Sequence, residues 1–148
     1  MNSYRRFFCM IAVSTVVMFE MMYLNTFALD HVYFSETRAY MALVMGAGMA
    51  IIMLGFMWHM YSNQMLNTVI LVGAAAVFCI SLWLVRSQAT VHDVAWMKAM
   101  IPHHSIAIMT SSRANLSDPR VVDLAHRILE AQEREITEMK GLIRELKR

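Results

Sequence analysis

The sequence predicts an all-α chain in which three helices cross a membrane and two more form a helical hairpin that pairs into a four-helix bundle. Three observations carry this. Of 148 residues, 58% are hydrophobic and only 16% charged, against about 25% charged in a soluble domain. The charges are unevenly divided, since residues 1–85 hold only Arg5, Arg6, Glu20, Asp30, Glu36 and Arg38. Beyond Arg86 the apolar runs give way to amphipathic helical periodicity. The chain therefore divides into a membrane domain at 1–87 and a polar hairpin at 88–148.

The first apolar run, 7–29, is long enough for a hydrocarbon core of about 30 Å and contains one carboxylate, Glu20. It is too long for a signal-peptide core and has no small-residue cleavage pattern, so it reads as an uncleaved anchor. The second run, 41–61, carries only His59 as an ionisable group, and the third, 67–85, carries none. The short 62–66 linker makes these two antiparallel neighbours. Arg5 and Arg6 favour a cytoplasmic N-terminus, and three crossings then place residues 86–148 outside. In the tail, 91 to about 114 forms a helix that Pro102 should kink or restart. Asp118 is a good N-cap and Pro119 suits the first helical position, so a second helix begins there. Its residues Val122, Ala125, Leu129, Gln132, Ile136, Met139, Ile143 and Leu146 alternate in steps of three and four, forming a seam that needs a partner. A 60-residue hairpin buries too little apolar area to stand comfortably alone, which points to a homodimer or higher homo-oligomer.

Net charge is +2 with mixed signs, which leaves no basic stripe for nucleic acid. The two cysteines, Cys9 and Cys79, lie in apolar runs and form no paired motif. Sixteen methionines are the anomaly. Met41, Met45, Met49, Met53 and Met57 recur every four residues and make a thioether ladder along the second span. Beside it runs the small-residue stripe Ala42, Gly46 and Ala50, which lets another helix approach closely. The ladder reads either as adaptable packing beside a helix contact or as a route for a soft ion. Glu20 costs about 3 kcal/mol in hydrocarbon unless it faces protein or a cavity. Depth arithmetic brings it level with Met45, Met49 and Cys79, four residues that could converge on a metal.

The densest cluster is His92, Asp93, Trp96, Met97, Met100, Pro102, His103 and His104. Met97, Met100 and His104 share one helical face, while His92 and Trp96 lie on the His103 side. Thioether and imidazole together suit Cu(I), and imidazole also admits Cu(II), zinc or nickel. Met139 on the following helix could add a thioether. His126 lies off the seam and reads as a solvated histidine. The alternative is that all these residues simply pack a helix interface. No catalytic pattern is legible, neither HExxH nor a repeated Glu-x-x-His, so no enzyme is expected.

The segment WMKAMIPHHSIAIM at 96–109, followed by Gln132, Glu135, Ile136 and Met139, resembles the DUF305 family, whose hallmark is M-x-x-M-I-x-H-H-x-x-A-I-x-M and then Q-x-x-E-I-x-x-M. The likeness covers residues 90–147. It implies a ferritin-like helical bundle, usually exported, with some members linked to copper binding and tolerance. The whole chain also looks like a membrane-anchored branch, in which the Met-rich second helix and LNTFALDHVYFSETRAYMAL recur. The resemblance carries over to Met97, Met100, His103, His104 and Met109, and to Gln132, Glu135 and Met139. Many soluble members resemble two tandem hairpins, whereas this chain has one, which favours assembly from several chains.

The expected function is copper sequestration or hand-off on the outer side of a bacterial inner membrane, with membrane lipid and periplasmic copper-handling proteins as partners. Met97, Met100, His103, His104, Met109 and Met139 are the candidate metal ligands, with His92, Glu20, Met45, Met49 and Cys79 as secondary candidates. Two rivals are a metal-independent oligomerisation module and an accessory subunit of a metal transporter.

Overall fold

The computed structural model describes residues 3–147 and is helical throughout, with no strand among the described residues. Five α-helices follow in order: α1 (Ser3–Met21), α2 (Glu36–Phe56), α3 (Gln64–Ser87), α4 (Asp93–Arg113) and α5 (Pro119–Leu146). Single 3₁₀ turns sit at Leu29–His31 and Trp58–Met60. The chain forms two compact units. One comprises the chain up to Met22 with Thr37–Thr90, and the other Tyr23–Glu36 with the chain from Val91 onward. The second unit thus recruits a segment that apolar patterning assigns to the membrane domain.

In the first unit, Phe7 of α1, Ala50 and Leu54 of α2, Tyr61 of the α2–α3 connection and Ile70 of α3 form one buried cluster. Asn67 is fully buried and satisfied, because its Oδ1 accepts from the Tyr4 hydroxyl at 2.8 Å and its amide nitrogen reaches the carbonyls of Trp58 and Tyr61 at 3.3 and 3.4 Å. An unpaired amide there would cost about 1–3 kcal/mol. Asn63 caps α3 by accepting from Leu66 N at 3.0 Å. The buried face of α2 is the small-residue stripe Ala42, Gly46 and Ala50, together with Ala47. A Cβ on Gly46 would lie 2.2 Å from Thr15 Oγ1, so α1 crosses α2 at a point where only glycine fits. Met41 and Met45 are exposed beside this face and Met49 is half-buried.

Two helices, α2 and α3, are long and apolar enough to cross a membrane by length and composition. The expected first span over 7–29 is not among them. Its helix ends at Met21, and Arg5, Arg6 and Glu20 lie within those 19 residues. Termination has a physical cause. The buried Arg38 guanidinium donates to the Met22 carbonyl at the helix end, where cations are favoured. Further on, the Phe27 N–H bonds Ser105 Oγ at 2.7 Å instead of a carbonyl one turn back. The second span begins earlier than expected, at Glu36, and ends at Phe56, so Met57 and His59 lie beyond α2.

In the second unit α4 continues through Pro102, so no new helix starts there. Ile101, Pro102, Ser105 and Ile108 are all buried, so packing on both sides of the proline holds the helix together. Asp118 caps α5 by accepting from Arg120 N at 2.9 Å, with Pro119 in the first turn, as expected.

Gly46→Ala should destabilise the first unit by about 1–3 kcal/mol through overpacking. Thr15→Ala in the same chain should recover most of that loss, as read by thermal unfolding in detergent.

Candidate metal centre

The two tail helices meet along a core of Met97, Ile101, Ile108, Ile136, Met139 and Ile143, with Val94, Met100, Leu129 and Tyr33 packed on its edges. The residues on α4 recur at three and four, so burying them fixes the helix rotation. That rotation decides what every other side chain of the histidine cluster faces. Met97 and Met139 are turned inward at 4% and 7% exposure, and Met100 lies against the same cluster. Three thioethers from two helices therefore share one apolar site.

His104 follows on the same face of α4. Its side chain is 14% exposed, and Nδ1 lies 3.0 Å from Glu135 Oε2 on α5. The carboxylate sits off the ring N–H direction, so Nδ1 is a buried nitrogen beside a carboxylate without a hydrogen-bond partner. Burial lowers the His104 pKa below 6.5, with the neighbouring His103 adding to the effect and Glu135 opposing it. A neutral ring with one nitrogen directed at a carboxylate leaves the other nitrogen's lone pair free for a ligand.

His103 is exposed, its ring centroid 6.1 Å from that of His104 and inclined at 61°. The adjacent histidines thus part company, one toward α5 and one outward. His92, at the N-cap of α4, is exposed, as is Trp96, and Met109 is half-buried outside the core cluster. In the first unit Glu20, Met45 and Cys79 are exposed and Met49 is half-buried. Among the described residues no three His, Cys, Asp or Glu side chains come together.

Sequence reasoning missed a strap over the hairpin. Residues 23–36 lie in this unit, and Ser105, fully buried, clips them to α4. Its Oγ accepts from Phe27 N at 2.7 Å and lies 2.9 Å from His31 Nδ1. Burial lowers the His31 pKa below 6.5, Lys140 nearby adding to this and Asp30 opposing it. Lys140 of α5 also holds Asp30 at 2.6 Å and keeps that carboxylate below its usual range. The only signal in the sequence was the small polar Ser105 placed between apolar core positions.

One comparison with known proteins falls largely on this part of the chain and a second reaches beyond it. The family model described as domain of unknown function (DUF305) matches residues 83–143. A relative from Acanthamoeba polyphaga mimivirus, "Uncharacterized protein L153", is 34% identical over 110 residues, covering 73% of this chain and 70% of the relative. No solved structure matches.

Because folding lowers the pKa of both His31 and His104, the unfolded chain binds more protons than the folded one once pH falls below about 6.5. Stability of the hairpin unit should be full above that pH and decline as it falls, which thermal unfolding at pH 7.5 and 5.5 would read. Ser105→Ala should cost about 1–3 kcal/mol at pH 7.5 by leaving its partners unpaired.

Proposed function

The chain belongs to the DUF305 family, and from that membership and the hairpin geometry we propose that it is a membrane-anchored protein that binds copper as Cu(I). The observation that carries this reading is the packing of Met97, Met100 and Met139 on one core, with Met100 one helical turn and Met97 two turns from a half-buried His104 that lies beside Glu135. Thioethers are soft, uncharged and do not protonate, which selects Cu(I) over harder divalent ions. The Nδ1 contact with Glu135 orients the imidazole so that Nε2 is the ligating nitrogen. Met97, Met100, Met139 and His104 would hold the ion, and Glu135 would position His104. His103, Met109 and His92 stand outside this set and suit delivery or release at the surface.

The role is sequestration or hand-off, which requires holding one ion and no group that attacks a substrate. Chain connectivity supports the localisation proposed. If α2 and α3 both cross the membrane, they return the chain to the side it left, so 23–36 and the tail share one side, as one compact unit requires. Packed along α2 at Thr15 and against α3 at Tyr4, α1 is the third membrane element, with Arg5 and Arg6 at its cytoplasmic end. The hairpin then works on the outer side of a bacterial inner membrane, where it serves copper tolerance with periplasmic copper-handling partners.

Competition titration with a Cu(I) chelator on the full-length detergent-solubilised protein tests the reading. His104→Ala should lower affinity at least tenfold, and Glu135→Gln should lower it about 10–100-fold through lost ring orientation. His103→Ala should leave it within a few-fold of wild type. Unchanged binding in His104→Ala with native helix content would replace this reading with a packing role for the cluster.

A further inference from the structure

The longest helix carries a second apolar row that its own chain leaves uncovered. On α5 the buried seam is Ile136, Met139 and Ile143. Val121, Leu124, Ile128, Leu142 and Leu146 remain 36–59% exposed, and they follow the heptad-like spacing of a second seam beside the first. Both ends of the helix contribute to this row, so it cannot be closed by a local loop.

The charges beside the row are ordered along the helix. Arg120 and Arg127 stand seven residues apart in the first half, Glu138 and Glu145 stand seven apart in the second, and Arg134 lies just past the midpoint. All five project from the same flank by helical geometry. Arg120 and Arg127 bond Asp118 and Asp123 of their own helix but stay 90% and 67% exposed.

From this pattern we propose that α5 pairs antiparallel with α5 of a second copy of the chain. A twofold axis between Gln132 and Glu133 places Arg120 opposite Glu145 of the second copy and Arg127 opposite Glu138, each pair occurring twice. The same register brings Leu124 within one residue of the level of Leu142 and Val121 within two of that of Leu146. In an antiparallel pair related by a twofold axis one flank meets the same flank, so basic half meets acidic half. Parallel pairing would set each arginine level with itself. The apolar row supplies the affinity, while the exposed ion pairs, individually weak, choose the orientation. The buried seam on α4 stays intact, so dimerisation does not require the metal site to reorganise.

The test is disulfide cross-linking of full-length protein in detergent, with Cys9 and Cys79 changed to serine and helix content checked against wild type. Leu124→Cys chains mixed with Leu142→Cys chains should cross-link, and neither alone should do so efficiently. Arg120→Glu/Arg127→Glu should weaken the dimer at least tenfold by mass photometry, and adding Glu138→Arg/Glu145→Arg should restore it. Efficient cross-linking of Leu124→Cys with itself would overturn the antiparallel register. A monomer at all accessible concentrations would overturn the pairing. Neither readout involves metal, so failure here leaves the copper reading standing and the converse also holds.

Discussion

The packing of α4 on α5 is the constraint on which the rest of the second unit depends. Once Ile101, Ile108, Ile136 and Ile143 are buried against one another, both helices lose their rotational freedom. That single choice turns Met97 and Met139 inward, aims His104 at Glu135 and leaves His103 in solvent. It also presents Ser105 to the strap, whose Phe27 N–H and His31 ring are satisfied there. A half-turn error in the seam would undo the metal set and the strap together.

Much of this was legible in the residues. Three-and-four spacing located the seam, Asp118 and Pro119 marked the start of α5, and Met97, Met100 and His104 were sorted to one face by helical geometry alone. The choice between His103 and His104 was not legible, because it depended on whether Pro102 would break α4. Burial of Pro102 between Ile101 and Ser105 settles that locally, and no single-helix rule contains it. The Glu135 contact pairs residues on different helices and depends on their mutual register.

The misreading of 7–29 has the same origin. Apolar content suggested one long helix, but Phe27 and His31 are spent on Ser105, 78 and 74 residues away along the chain. Hydropathy reports what a segment can bury and is silent about a backbone N–H claimed by a distant hydroxyl. In the first unit, by contrast, Ala42, Gly46 and Ala50 mark the contact face of α2, and Gly46 meets Thr15 there as the spacing implies. The methionines beside that face, Met41 and Met45, are exposed flanking residues of the contact.

The central claim is that thioethers and one imidazole share a single ion. Copper K-edge absorption spectroscopy on the full-length Cu(I)-loaded protein reads the ligand atoms directly. The predicted result is a sulfur-dominated shell with one nitrogen, the nitrogen contribution disappearing in His104→Ala and persisting in His103→Ala. A shell of nitrogen and oxygen alone, or a sulfur shell indifferent to Met97→Leu/Met139→Leu, would contradict it.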